Sequence, residues 1–314
     1  MLPAHLPPTL TSSNTPLRSP LRSSSITQFL ALLQNMGVDR LDAQRLMLHV
    51  LGREANQRAW LVAHGETLLA PSDAVALMDL ARRLLAGLPI AYLTGYQAFY
   101  GLALQVDANV LVPRPDTETL VDLALHHLSR AMTQHPEGHL RVLDLGTGSG
   151  AIALALKANC PSLHVHASDI CPRALHIARA NATRLGLTVR FSQGAWLAAL
   201  ATEHDTLFDV IASNPPYIAQ DDPHLAALGC EPVHALVSGQ DGLDDLRRII
   251  DQAPSHLVPG GWLLLEHGYD QADRVRDLLS AAGLTAVSSH RDLAGHWRCS
   301  AGQRTRCHPL PLAR

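Results

Sequence analysis

The chain has 314 residues, 47% of them hydrophobic and 17% charged, enough to bury a full core in one large domain or two smaller ones. A formal charge of −3 argues against a strongly basic nucleic-acid surface, and no apolar run approaches the roughly 18 residues of a membrane span. The five cysteines, Cys160, Cys171, Cys230, Cys299 and Cys307, are too scattered for a C-x-x-C motif and read as free thiols in a reducing, cytoplasmic setting.

Residues 1–25 are rich in Pro, Ser and Thr, contain no acid and lack periodicity, which predicts a disordered tail. Their proline spacing spoils the amphipathic helix of a transit peptide, so the segment reads as an extended or misassigned start. From 26 to 88 the apolar residues fall at helical spacing: Phe29, Leu32 and Leu33, then Leu46, Val50 and Leu51, then Val75, Leu77, Leu80 and Leu84. A small helical bundle is expected there. Residues 89–115 carry aromatic and β-branched side chains broken by Gly95 and Gly101, a pattern that predicts a hairpin linker. Thr117 then opens a helix reaching about Met132, with Glu118 favourably placed at its N-terminus.

Between 116 and 302 strand and helix alternate. The strands are RVLDL, LHVHAS, LTVRF, LFDVIAS and GWLLLE, with helices over 151–158, 172–185 and 243–253, and two last strands around 284–289 and 297–301. This rhythm predicts an α/β fold with a mostly parallel, doubly wound sheet whose ligand sites lie at the carboxyl ends of the strands. Residues 303–314 form a second tail. His164 and His166 share a strand face, but no third ligand is near them in sequence and no metal is expected.

Two motifs fall at strand ends. The first strand runs into Asp144-Leu145-Gly146-Thr147-Gly148-Ser149-Gly150 and then a helix. Glycines allow a tight turn and close approach of a ligand to the N–H groups that open the helix. Asp169 ends the next strand, where a carboxylate can accept hydrogen bonds from ribose hydroxyls. A nucleoside-bearing ligand is implied, and the turn alone leaves NAD and S-adenosylmethionine both open, since Gly146, Gly148 and Ala151 also satisfy G-x-G-x-x-A.

The second motif, Ser213-Asn214-Pro215-Pro216-Tyr217, decides between them. Its prolines can neither extend the strand nor sit inside a helix, so the loop is stiff. An amide or exocyclic amino nitrogen is a poor nucleophile because its lone pair is delocalised. If the Asn214 side-chain oxygen and the Pro215 carbonyl accept hydrogen bonds from such an NH₂, they orient it towards a methyl sulfonium and favour developing positive charge. Tyr217 offers a flat face to the planar group. Hydride transfer has no evident use for this loop.

With both motifs in hand, the sequence resembles the HemK/PrmC branch of the N-P-P-Y methyltransferases, from about Ile26 to Gly302. PIAYLTG, LVPRPDTETLV, Glu231-Pro232, Ala235-Leu236, LLLEHG and RDLAG also match. The resemblance implies a class I methyltransferase fold, a seven-stranded Rossmann-like sheet following the helical domain, and methylation of the glutamine N5 in the Gly-Gly-Gln loop of class I peptide-chain release factors. It further implies that Gly146, Thr147, Gly148, Ser149 and Gly150 hold the methionine part of S-adenosyl-L-methionine, Asp169 the ribose and Trp196 the adenine. Asn214, Pro215, Pro216 and Tyr217 would receive the glutamine, Asn214 would also contact the cofactor, Arg114 and Asp116 would shape the pocket, and the helical domain would dock the release factor. A monomer is expected, without direct nucleic-acid or membrane contact. Gly194-Ala195 stands where the family commonly has an acidic residue before the tryptophan, and Gly229-Cys230 replaces its Arg-Phe. A ribosomal-protein glutamine methyltransferase is the nearest alternative, although it usually carries R-S-P where RPDTE stands. A DNA amino-methyltransferase shares the proline loop but needs a basic surface and base extrusion; a non-enzymatic cofactor-binding adaptor is the remaining alternative.

Overall fold

The computed structural model describes residues 24–134, 139–200 and 206–305; the predicted tails therefore lie almost wholly outside the described residues, as does Cys307. The chain divides into two compact units, Met1–Thr94 and Gly95–Arg314.

In the first unit five helices form: α1 (Ile26–Asn35), α2 (Arg40–Val50), α3 (Arg58–Ala63), α4 (Pro71–Leu85) and α5 (Ile90–Thr94). Local signals start the first, second and fourth. Ser25 and Gln28 exchange hydrogen bonds in a capping box, Asp39 accepts from the Leu41 N–H, and Pro71 sits at the first turn of α4. Their buried faces converge on Phe29, Leu33, Leu46, Met47, Leu61 and Leu77. One expected core position is wrong: Val75 is 61% exposed, and Ala74, Leu77, Met78 and Ala81 make the buried stripe of α4. The i, i+3, i+4, i+7 spacing starts at the alanine, which a count of large apolar residues passes over. PIAYLT, expected to open a hairpin, is instead helical as α5.

The second unit begins with the hairpin β1 (Tyr96–Phe99) and β2 (Leu102–Gln105). Tyr100 and Gly101 at its tip both have positive φ, 47° and 77°, as a two-residue turn of this twist requires. The strained Tyr100 is held by its N–H to Glu118 at 2.8 Å and its hydroxyl to Asp122 at 2.6 Å. Both acids lie on α6 (Glu118–Gln134), entered through a short 3₁₀ turn at Pro115–Thr117.

The large sheet uses β3 (Arg141–Leu145), β4 (His164–Asp169), β5 (Arg190–Gln193), β6 (Phe208–Ser213), β7 (Leu257–Glu266), β8 (Thr285–Arg291) and β9 (Trp297–Gln303), in the order β5-β4-β3-β6-β7-β9-β8. The four pairings from β5 to β7 are parallel, and β9 runs antiparallel to both neighbours. The expected β5 is displaced towards Gln193; Leu187-Thr188-Val189 stays outside the ladder. Helices α7 (Ala151–Asn159), α8 (Pro172–Leu185), α9 (Asp244–Gln252) and α10 (Ala272–Ala281) complete the layers. Val142 and Val165 pack with Leu120, Val121, Ile152 and Leu156 on one face, whereas Leu143, Ile211 and Leu263 pack with Leu246, Ile249 and Val275 on the other. Burial on both faces explains why these strands read as continuous apolar runs rather than alternations. The expected class I methyltransferase sheet is thus present, and its switch point lies where β3 parts from β4 on one side and β6 on the other.

Candidate active site

The carboxyl ends of β3, β4 and β6 open into a cleft of about 270 Å³. Its wall includes Gly146, Thr147, Gly148, Ser149, Asp169, Trp196, Asn214 and Pro216, eight of the residues singled out in the sequence. Gly150, Pro215 and Tyr217 are not among the lining residues.

The glycine turn is formed by left-handed backbone. Gly146, Gly148 and Gly150 have φ of 71°, 55° and 88°, conformations that side chains rarely adopt. At Gly148 a Cβ would meet nothing within 4 Å, so the glycine leaves open space, whereas at Gly150 it would come 2.9 Å from Leu154 of α7. The turn is tied to two acids. Buried Asp144 accepts from the Thr147 hydroxyl at 2.6 Å and the Ala153 N–H at 3.1 Å, while its Oδ1 has no partner. Burial pushes its pKa up to about 7, against the pull of those two donors. Asp169 accepts from Gly148 N–H at 2.9 Å and Cys171 N–H at 2.8 Å, and burial raises its pKa too. A carboxylate has about four lone-pair sites, so Asp169 retains acceptor capacity beyond those two bonds.

Trp196 sits at φ 49°, and its ring edge would be 3.2 Å from a Cβ on Gly146. Its indole N–H donates to Asp245 at 3.1 Å. Asp245 in turn accepts from Ser238 at 2.8 Å and, with Arg248, lines the cleft. Neither residue is signalled in the sequence, because nothing in GLDDLRR distinguishes a cleft acid from a solvated helix N-terminus. Gly194 itself is sterically required, since a Cβ there would lie 2.6 Å from the Ala199 backbone. Its N–H donates to the Asp169 carbonyl at 3.0 Å, fixing the chain that delivers Trp196.

Asn214 follows β6 and directs its Nδ2 to the Thr117 hydroxyl at 3.1 Å. Its Oδ1 has no protein partner among the described residues. Tyr217 does not present its ring to the cleft; its hydroxyl reaches Glu266 at 3.3 Å, and its carbonyl accepts from Gln271 at 3.0 Å. Burial raises the phenol pKa far beyond neutrality, so Tyr217 stays protonated. Arg114 lines the cleft and pairs with buried Glu231, which also accepts from Val112 N–H at 3.1 Å; Asp116 pairs with Arg298 at 3.3 Å. Glu231 thus clamps the VPRP segment.

The sheet order, the glycine turn and the acid at the end of the second sheet strand together define a class I methyltransferase. Residues 117–230 match the methyltransferase small domain, and residues 25–95 match the PrmC N-terminal domain. The chain is 48% identical to the release factor glutamine methyltransferase of Bordetella pertussis over 86% of its own length and 97% of that protein's. It is 44% identical to the protein of the same name from Vibrio cholerae, over 86% and 92% of the two lengths. A crystal structure of the hMettl16 catalytic domain shares the fold, with a TM-score of 0.53 at 18% identity over 77% of this chain and 84% of that one. The chain belongs to the release factor glutamine methyltransferase family.

Proposed function

We propose that the protein transfers a methyl group from S-adenosylmethionine to the side-chain N5 of the glutamine in the Gly-Gly-Gln motif of class I release factors, in the cytoplasm. The names of its relatives support the substrate. One observation supports the chemistry above the others: the Asn214 amide is turned so that its NH₂ is engaged by Thr117 and its oxygen is the end left for a ligand NH₂.

The residues fit the cofactor. Gly148 provides a cradle that a Cβ would fill, and Asp169 an acceptor for hydroxyl groups. Trp196 and Ile170 give the cleft apolar walls suited to a purine. S-adenosylmethionine, when bound, supplies an electrophilic methyl on a sulfonium. The protein's own work is orientation. Asn214 Oδ1 and the Pro215 carbonyl accept the two N–H bonds of the incoming carboxamide, pointing its lone pair away from them and stabilising positive charge as the nitrogen becomes tetrahedral. Two consecutive prolines keep those acceptors in place, so little reorganisation accompanies attack. The proton becomes acidic only after methylation and leaves to water. We assign recognition of the protein substrate to the helical unit, through its match to the PrmC N-terminal domain.

The test is labelled methyl transfer offered in parallel to release factor, ribosomal protein and DNA. Label on the release-factor glutamine is the expected result. Label confined to ribosomal protein or to DNA overturns the assignment.

A further inference from the structure

An asparagine side chain fits its space almost equally well with oxygen and nitrogen exchanged, so a site that needs the oxygen outward must break that degeneracy. Thr117 cannot do so alone. A hydroxyl accepts from an amide NH₂ or donates to an amide oxygen with equal ease, and the outcome depends on where its single hydrogen goes. Thr117 is buried, 4% exposed; its hydroxyl accepts from Asn214 and also acts on a second buried group, Glu266.

Glu266 is the last residue of β7. The ladder pairs Ser213 with Leu265, so Asn214 and Glu266 leave adjacent parallel strands side by side. The carboxyl is 1% exposed, and Oε1 accepts from Tyr217. Oε2 has no hydrogen-bond partner among the described residues, and the Thr117 hydroxyl is one of the groups that favour the ionised form. An unsatisfied carboxylate oxygen beside a buried hydroxyl claims that hydroxyl's hydrogen.

We propose that Thr117 is a positioning residue for Asn214, and that the ionised Glu266 carboxylate sets its hydroxyl so that only the Asn214 NH₂ can face it, leaving the oxygen to the substrate. The inference rests on the reading of Asn214 as a substrate acceptor. Protonation of Glu266 reverses the chain: the carboxyl becomes a donor to Thr117, whose hydrogen is released towards Asn214, and the amide is free to invert. Burial pushes the Glu266 pKa up to about 7, which brings this reversal into an accessible range.

The charged groups around Glu266 hold that value in a balance. Arg298 on β9 favours ionisation and is itself shared with Asp116 at 3.3 Å and Asp292 at 3.2 Å; Asp116 opposes it. Tyr217 from the proline loop and Cys299, paired with Glu266 across the β7–β9 ladder, both have raised pKa values and remain neutral. The neighbouring His267 is lowered by burial and is neutral as well.

The experiment compares Thr117→Ser, Thr117→Val, Glu266→Gln and Asn214→Ala in the full chain, reading cofactor Kd, KM for release factor, kcat against pH, and thermal melting. Thr117→Val should lower kcat about tenfold or more, with KM and cofactor Kd within about twofold, and Thr117→Ser should restore it. Wild-type kcat should fall as pH drops through about 7, and Glu266→Gln should lower kcat at pH 8 and flatten that limb. Equal kcat for the Val and Ser variants overturns the inference, as does an unaltered pH profile in Glu266→Gln. Should Thr117→Val melt below the assay temperature, Glu266→Gln, which keeps the shape of the side chain, still decides the matter through its profile. An inactive Asn214→Ala beside a normal Thr117→Val removes the orienting role alone, whereas a normal Asn214→Ala removes the acceptor reading and the inference with it.

Discussion

The turn after β3 and the loop after β6 lie at the ends of neighbouring strands, joined where the Ser213 hydroxyl donates to the Leu145 carbonyl at 2.7 Å, yet they are held by opposite means. The glycine turn owes its shape to its own backbone and to acids close in sequence, Asp144 three residues before Thr147 and Asp169 twenty-one after Gly148. The proline loop is stiff but not self-aligned. Its side chains are placed by Thr117, 97 residues earlier than Asn214, and by Glu266, 49 residues later than Tyr217. The glycine turn can be written in one short run of residues and one acid at the end of the next strand. Fixing which end of one amide faces the cleft needs the tertiary structure.

The sharpest way to break this contrast is to remove the acceptor. Asn214→Ala should lower kcat about a hundredfold or more while cofactor Kd changes little, measured by single-turnover transfer and by calorimetry. Asp169→Ala is the mirror image. It should weaken cofactor binding roughly ten- to a hundredfold, since one charged acceptor and the anchor of Gly148 go together, with a smaller loss of kcat at saturation. If instead Asn214→Ala weakens the cofactor and Asp169→Ala leaves its Kd intact, the division of labour between the two loops is wrong. A milder probe is Trp196→Phe, which keeps an aromatic ring but removes the indole donor to Asp245 and the outer ring carbons that lie against Gly146. Cofactor Kd should rise about two- to fivefold, with kcat nearly constant.

What could be read from the sequence divides along the same line. Gly146 to Gly150, Asp169 and the Asn214 loop are conspicuous because their residue types are costly elsewhere: glycines at positive φ, a carboxylate ending a buried strand, two prolines after a β-branched run. The helix starts at Ser25, Asp39 and Pro71 are local in the same sense, set by a capping box, a capping acid and a first-turn proline. Asp245 was not, because a helix-opening acid is ordinary until the fold brings it to Trp196. Glu266 stood within LLLEHG, but a match of letters does not reveal that its carboxyl ends beside Thr117, and Thr117 reads simply as the residue before a helix. The exposed Val75 and the helical PIAYLT have another origin: a small alanine stripe outweighs one valine, and a single turn of helix carries too few residues for its period to be read.

The smallest expected effect concerns stability and tests the local character of the glycine turn. Asp144 is fully buried with one oxygen unpartnered, and its pKa is about 7, well above the value of about 4 for an unfolded chain. A raised carboxyl pKa means that the folded state holds a proton the unfolded state has released. The contribution to stability is therefore fully present below about pH 4, is lost as pH climbs from about 4 to 7, and stays at its least favourable value above that. Three pKa units correspond to at most about 4 kcal/mol, and relaxation around the turn reduces this to the order of 1–2 kcal/mol. Asp144→Asn keeps an acceptor for Thr147 or Ala153 and cannot ionise. Denaturant unfolding of the variant should show a shallower loss of stability between pH 4.5 and 8 than the parent, with a gain at pH 8 and none at pH 4.5. Because Glu266 is raised to about the same value, its Gln variant should remove a separate share of the same slope. Additive flattening would mean that the two carboxyls titrate independently, as their separate hydrogen-bond sets require. An unchanged slope in Asp144→Asn would mean that its carboxyl is already ionised in the fold, with water or the neighbouring amides satisfying Oδ1, and that the glycine turn carries a fixed negative charge at all working pH values.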